Sequence, residues 1–481
     1  MITFSTRHAK EQLRQMPMAA ILLSLVIGIV VSPLLQWHYG VWILLFILTG
    51  AAAFLLKGFI LLFGICLGGF VQSINAPEPL HISHPVEFIV KVSSEPVKRK
   101  DFNSATAKIL MADGKKCSGK VLLTTDSLLT PQHGDIISAR ALLRDFSDQS
   151  NRYEQMMWRR GYLGGINISK HRCFAYFPTL DESLHHKAKR RLSKLLPDNE
   201  GKKIALAMTL GSKEYFDRDL RQSYSNVGVS HLLAVSGLHV GIVALLLNLL
   251  LLPLVLFWRG DRVKSVAIVV CIWIYVALCG YPISAIRAAI MFSTLQLSLN
   301  TRGVHSAANS LFFAAFIMLS IEPTALFDIS FSLSFCAVAG IIFVGKPLCD
   351  MLRGENPIVN AVSNSVVISV VCTLATMPII SEVFGVVSLL SIIVNPIVIF
   401  ISQIVIILSF ATLALPQSIA QFTAQAAGWC GTIQNKVVTF AGSFDVGYAQ
   451  TQSDHITTIT LYAIFFVAII ISLGCKRVED V

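Results

Sequence analysis

HLLAVSGLHVG, residues 231–241, places two histidines and a serine inside a run that is otherwise apolar. Polar side chains in such surroundings need partners, so four readings arise: catalysis, metal binding, close helix packing, or a polar route through an apolar body. On a helix, Ser236 and His239 stand three residues apart and meet on one face, whereas His231 points elsewhere. A serine nucleophile ordinarily needs a strained turn, an oxyanion hole and an orienting acid, and no acidic residue is near in sequence. Two histidines alone do not complete a metal site, so no metal is expected. Gly237 and Gly241 form GxxxG, which lets a neighbouring helix approach closely. The glycines and the serine therefore read as a packing surface. The histidines remain as candidates for lining a polar route.

Composition sets the class. Of 481 residues, 54% are hydrophobic and 14% charged, against about 25% charged in ordinary soluble domains. That is the profile of a mainly α, polytopic membrane protein. Residues 1–75 hold three apolar segments, 17–35, 41–56 and 58–74. The first lacks a small-residue cleavage site and reads as a retained helix. Arg7, Lys10 and Arg14 precede it, so the positive-inside rule puts the N-terminus in the cytoplasm and residue 75 outside.

Residues 75–230 carry 25 Lys/Arg against 17 Asp/Glu, most of the chain's net charge of +11. Within 76–178, the runs 86–92, 105–111, 121–125, 136–143 and 165–169 are β-branched and alternating. Asp113-Gly114, Pro131 and Gly134-Asp135 separate them, so five short strands in a small barrel or sandwich are expected. The fold class is thus a mainly α membrane protein with an inserted extracytoplasmic small β-barrel domain. Residues 179–230 include ESLHHKAKRRLSKLL at 182–196. There Leu184, Ala188, Leu192, Leu195 and Leu196 share one face, and His185, His186, Lys187, Lys189, Arg190 and Lys194 take the others. Such a basic amphipathic helix suits a membrane surface or an anionic polymer, or else packs on the barrel as a solvated helix.

Residues 231–481 form a second apolar block with candidate helices near 231–257, 263–280, 284–300, 304–320, 330–345, 358–380, 388–414, 421–443 and 456–474. The placement of basic loops closes this topology with both termini in the cytoplasm. Segment 421–443 is the least apolar, with Gln421, Gln425, Gln434 and Asn435. Pro378 and Asn395-Pro396 interrupt two segments, and broken helices at membrane depth line cavities or are covered by protein.

Eight of the ten cysteines lie in or beside apolar segments, leaving Cys117 and Cys173 in the extracytoplasmic part, where an oxidising setting favours a Cys117–Cys173 disulfide. GIIFVGKP, 340–347, has phosphate-loop spacing, but Pro347 replaces the magnesium-binding hydroxyl and the stretch lies in an apolar helix. No nucleotide motif or metallo-nuclease cluster is visible, so neither an enzyme nor a cofactor is expected. Arg287, in YPISAIRAAIM (281–291), lies about one turn inside its helix. It either snorkels to the interface or anchors a passing anion, for which nucleic-acid phosphates are the natural candidate.

At this point the motifs resemble a known family. HLLAVSGLHVG, preceded by ALAMTLGSKEYFDRDLRQSYSNVGVS (205–230), is similar to the most recognisable stretch of the ComEC-type competence proteins, the inner-membrane DNA channels of natural transformation. NRYEQMMWRRGYLGGI (151–166), YPISAIRAAIM, FDISFSLSFCAVAGI (327–341) and FGVVSLLSIIVNPIVIF (384–400) match in the same order. The resemblance implies an oligonucleotide/oligosaccharide-binding (OB-like) β-domain and passage of single-stranded DNA through 231–481 of a multi-pass inner-membrane protein. It departs from the family pattern at Ser212-Lys213-Glu214, where an acidic residue often follows the Leu-Gly pair at once. The family's frequent cytoplasmic metallo-β-lactamase-like domain is also missing, so no nuclease centre is expected in this chain.

A strand needs a basic groove for its backbone and aromatic faces for its bases. Lys98, Arg99, Lys100, Arg140, Arg144, Arg159 and Arg160 are the candidate DNA-binding cations, with Phe102, Phe146, Tyr153, Trp158 and Tyr162 nearby for stacking or packing. His231, Ser236, Gly237, His239 and Arg287 are the candidates for the translocation path. The implied partners are single-stranded DNA, a periplasmic or surface DNA receptor of the ComEA type, a cytosolic motor or strand-coating and recombination-loading proteins, and the lipid bilayer. An exporter of small molecules or lipids, or an intramembrane Ser/His hydrolase, are the rival readings.

Overall fold

The computed structural model describes residues 2–4, 16–35, 37–55, 59–76, 80, 82, 84–94, 96–98, 102–126, 129, 131–148, 151–178, 184–212, 218–233, 235–257, 259–298, 306–384, 386–388, 390–443, 448–450 and 475–477. Arg99, Lys100 and the predicted helix at 456–474 lie outside the described residues. The chain divides into two compact units, one of 23–183 with 318–328, the other of 1–22, 184–317 and 329–481.

In the first unit, helices α1 (Pro17–Leu35), α2 (Tyr39–Leu55) and α3 (Ile60–Asn75) lead into the sheet. Its strands are β2 (Val86–Val92), β3 (Val97–Lys98), β4 (Phe102–Ala112), β5 (Lys115–Asp126), β6 (Ile136–Ala141), β7 (Leu143–Asp145), β8 (Tyr162–Ile168) and β9 (Cys173–Phe177), numbered after a short β1 at Ile2–Phe4. Alternation decides which face is buried: Val86, Phe88, Val90 and Val92 of β2 all point into the core. Asp113 (φ 51°) and Gly114 (φ 72°) make the left-handed two-residue turn that joins β4 to β5. Five expected strands are present, 86–92 with the expected bounds and the other four longer or shorter at their ends, and three more accompany them.

The hydrogen-bonded order is β7-β8-β5-β4-β2-β6-β9, with β3 beside β4 and a parallel β5–β8 pair. β6 and β7 are joined by Leu142 alone yet stand at the sixth and first places of that order. One residue spans only a few ångströms, so the sheet has to coil back on itself around Phe88, Ile109, Leu123, Ile137, Leu163 and Ile166. The expected closed barrel is not found: among the described residues no ladder joins the two ends of the path, and the sheet is small, mixed and open. Helix α4 (Arg152–Arg159) follows β7, and Arg160 after it pairs with Asp328 at 3.1 Å, tying the 318–328 segment to this unit.

The expected Cys117–Cys173 disulfide is absent. Cys117 lies on β5 and Cys173 on β9, with β4, β2 and β6 between them along the path. Cys173 Sγ instead donates to the Ala175 carbonyl at 3.6 Å, and burial raises its thiol pKa.

The second unit is helical: α5 (Leu184–Leu195), α6 (Glu200–Leu210), α7 (Arg218–Asn226), α8 (Gly237–Leu250), α9 (Gly260–Leu278), α10 (Ile283–Ser298), α11 (Ala307–Ile321), α12 (Ile329–Gly340), α13 (Lys346–Met351), α14 (Pro357–Phe384), α15 (Ser391–Ala414) and α16 (Gln417–Gly442). Among the described residues, four helical stretches, Pro17–Leu35, Ile329–Met351, Pro357–Val383 and Ser391–Ala414, are long and apolar enough to cross a membrane, and five shorter helices are apolar. Three expectations are corrected here. Pro378 and Pro396 do not end their helices, which run through both. The irregularity falls instead at Ile341–Gly345, a π-helical turn that contains most of GIIFVGKP, within a helical stretch and with no strand before it. Third, the 231–257 segment is not one helix (see below).

Helix α5 does not lie free with its histidines outward. His185 is buried and its Nδ1 meets the Leu278 carbonyl at 2.6 Å, while Leu184 is 59% exposed. Leu192 and Leu196 join one core with α6, α8, α15 and α16, so 184–226 belongs to the helical bundle. Arg191 Nη2 donates to the Leu415 carbonyl at 2.7 Å, satisfying the end of α15 with a cation. Helices α6 and α16 cross at bare backbone: a Cβ on Gly201 would run into the Gly428 carbonyl. Two of the four polar groups that made 421–443 look weak bond to neighbouring helices, while Gln421 and Gln425 are exposed. Asn435 Nδ2 donates to Glu200 Oε2 at 2.7 Å, and Ser402 Oγ donates to Gln434 Oε1 at 3.3 Å.

Gly201→Ala should therefore lower stability by about 1–3 kcal/mol, the usual range for overpacking, read as a fall in the thermal midpoint of the purified chain. Denatured without reductant and alkylated, the peptides of Cys117 and Cys173 should both carry the label; in the folded chain Cys173 should react slowly near neutral pH and faster as pH rises, because its raised pKa keeps the thiolate scarce.

Candidate functional site

HLLAVSGLHVG is a helix break. Ser230–Leu233 form a 3-10 turn, Ser236 is extended (φ −111°, ψ 173°), and α8 starts at Gly237. With 14 residues, α8 is about 21 Å long, short of the roughly 30 Å of a bilayer core. A helix that starts inside an apolar body leaves N–H groups without acceptors. Ser236 and His239 answer that need as a reciprocal capping box, with His239 in the third helical position. The Ser236 backbone N–H donates to His239 Nδ1 at 3.0 Å, and Ser236 Oγ lies 2.7 Å from the same nitrogen. A backbone N–H can only donate, so Nδ1 accepts and the ring proton of the neutral imidazole sits on Nε2. Nε2 is buried without a hydrogen-bond partner. Among the described residues no carboxylate bonds this imidazole.

Helix α10 closes the break along one face. Ser284 Oγ donates to the Val235 carbonyl at 2.5 Å. One turn on, Arg287 Nη2 lies 3.4 Å from where a Cβ on Gly237 would stand, and the Phe292 ring faces Gly241 at 3.3 Å on the same measure. Both glycines of GxxxG thus meet α10, as close packing requires. Arg287 does not snorkel: it is 3% exposed, with the Phe335 ring 5.4 Å from Cζ. Its Nε and Nη1 are buried without partners. Ser236, Gly237, His239 and Arg287 are therefore brought together. His231 sits in the 3-10 turn before the break and is exposed. The side-chain oxygens of Thr209, Ser212, Asn395 and Ser409, in the same unit, are also buried without partners.

The sheet domain treats its predicted cations unevenly. Arg140 on β6 is exposed, its Nε donating to the Pro85 carbonyl at 3.3 Å. Arg144 on β7 binds Glu154 at 2.8 Å while 69% of its side chain stays exposed. Arg159 is exposed, and Arg160 is engaged by Asp328. Lys98 lies on β3. Trp158 packs on the core, and Tyr162 is held by Thr106 Oγ1 at 3.1 Å and by Lys120 over its ring, leaving Tyr153 exposed. Sequence reasoning missed a second basic-aromatic surface. Lys170, His171 and Arg172 are exposed beside the exposed Phe174, Tyr176 and Phe177 of β9, at the end of the sheet. The run KHRCFAYF carried that signal. Tyr176 donates to Asp135, and burial first, then that carboxylate, pushes its pKa above the ordinary tyrosine value.

These features define a class: a mostly helical protein with several apolar helices, a small mixed sheet in its N-terminal region, and a polar helix break in the helical unit. The family model described as "Competence protein" matches residues 208–476, and the chain belongs to that family. It is 28% identical over 204 residues to "ComE operon protein 3" of Bacillus subtilis (strain 168), covering 42% of this chain and 25% of that one. It is 28% identical over 242 residues to an uncharacterized protein of Aquifex aeolicus (strain VF5), covering 49% and 54%, and 25% identical over 207 residues to "Uncharacterized protein YcaI" of Escherichia coli (strain K12), covering 41% and 28%. The matches thus span between a quarter and about half of the length of these relatives. No solved structure matches.

If the Ser236 hydroxyl serves the cap, Ser236→Ala should cost about 0.5–2 kcal/mol and Ser236→Asn much less, since asparagine caps equally well. Thermal midpoints of the two variants check this. Equal losses would show that the hydroxyl does something besides capping.

Proposed function

We propose that this chain spans the cytoplasmic membrane several times and conducts single-stranded DNA across it during natural transformation. Family membership across 208–476 carries the reading. The buried polar groups around the helix break support it, because polar atoms without partners inside an apolar bundle suit a route used by a hydrophilic cargo. Weak, repeated contacts would let the strand enter and still leave.

In this reading the coiled sheet is an OB-like, extracytoplasmic platform. Its exposed Arg140, Arg144 and Arg159, with Lys98, would follow the backbone, and Tyr153 would stack a base. The antiparallel pairing of Ile2–Phe4 with the strand Cys475–Arg477 holds these two segments together, which supports placing both on the cytoplasmic side. The chain acts as a conduit and not as an enzyme. A receptor delivers DNA from outside, and a motor or strand-coating proteins in the cytosol pull it through.

Deletion of the gene in its host tests the reading. Transformation by chromosomal markers should fall to background while labelled DNA still accumulates outside the cytoplasm. Undiminished transformation would refute it.

A further inference from the structure

We propose that Arg287, set against the first turn of α8, is a built binding site for a phosphate-type oxyanion. Arg287 is 3% exposed, and no acceptor or carboxylate pairs with it among the described residues, Nε and Nη1 being buried without partners. A guanidinium does not shed its proton, so the charge stays, and a buried charge without a counter-charge is strongly unfavourable. Phe335 covers the guanidinium on one side with a ring face, which favours the cation without neutralising it.

The neighbouring backbone has the same sign. Gly237 is the first residue of the 14-residue α8, and Arg287 Nη2 lies 3.4 Å from where its Cβ would be. The first turn of a helix presents N–H groups and the positive end of the dipole, and Gly237, lacking a Cβ, lets Arg287 Nη2 come close to that turn. Ser236 and His239 cap one part of that turn with a neutral imidazole, which adds no negative charge. Guanidinium and helix terminus together match the several oxygens and the charge of a phosphate group. A nucleic-acid phosphodiester, a phospholipid headgroup and inorganic phosphate share this chemistry. The inference deepens the DNA-conduit reading and rests on it only for the natural source of the phosphate.

The test uses the full chain in an uncharged detergent and in nanodiscs, with three probes: inorganic phosphate, a fluorescent oligo-dT, and phosphatidylglycerol against phosphatidylcholine. At least one probe should raise the wild-type thermal midpoint. Arg287→Gln should abolish that rise, weaken binding of the effective probe by about tenfold or more, and raise the midpoint of the unliganded chain, because it removes an uncompensated charge. A merely structural arginine would give the opposite last result. Gly237→Val, which keeps the charge but fills the space beside Nη2, should also lose the response, and it serves if Arg287→Gln does not insert. The site is overturned if no probe shifts the wild type, or if both variants respond as the wild type does. A response to phosphatidylglycerol alone upholds the site and identifies a lipid headgroup. Oligo-dT bound equally by wild type and both variants, with the phosphate or lipid response lost, upholds the site and places the strand elsewhere. Transformation lost on gene deletion but normal in Arg287→Gln, with its phosphate response gone, separates the conduit reading from this site.

Discussion

An apolar interior gives a chain no water to satisfy its backbone, so wherever a helix begins inside it, the chain must bring its own acceptors. The start of α8 is the place where this constraint is met most plainly. His239 Nδ1 accepts the Ser236 N–H, and the Ser236 hydroxyl lies against the same nitrogen. With the first turn secured, α8 can start in mid-bundle, and the two glycines can lie flat against α10. The 3-10 turn before it holds His231 at an exposed position. A continuous helix through 231–250 would have no interior terminus to present.

The helical unit holds two kinds of polar group. The first kind is satisfied and structural: the Ser236–His239 box, the Asn435–Glu200 bond and the Arg191 contact to the end of α15. The second kind is buried and unsatisfied: Arg287, His239 Nε2, Thr209, Ser212, Asn395 and Ser409. Stability alone would remove such groups, since each unpaired buried donor or acceptor is unfavourable by about 1–3 kcal/mol. Structural needs leave these groups of the helical unit unexplained, and a hydrophilic cargo or an anion would use them.

Legibility differed between features for physical reasons. The strands at 86–92 and 136–141 and the Asp113-Gly114 turn were readable because period-two alternation and left-handed turn residues are local properties. The GxxxG packing surface was readable for the same reason. Sheet closure was not, because it depends on ladders between strands far apart in sequence. The Cys117–Cys173 pairing rested on compartment and cysteine count, whereas the structure holds both residues, on β5 and β9, without a disulfide between them. His185 reads as a polar-face residue by helical spacing, yet it turns inward because the Leu278 carbonyl at the end of α9 needs a partner.

The amino-acid sequence by itself determined the apolar helical character, the basic inserted β-domain, the close-packing glycines and the family resemblance carried by collinear motifs. All of these rest on composition and short-range periodicity. Tertiary structure alone decided that Ser236 and His239 cap a helix, that Arg287 is enclosed without a counter-charge, and that the sheet coils without closing. Those outcomes depend on which groups meet across long stretches of chain, and burial, with its demand for partners, is a property of the fold and not of any segment.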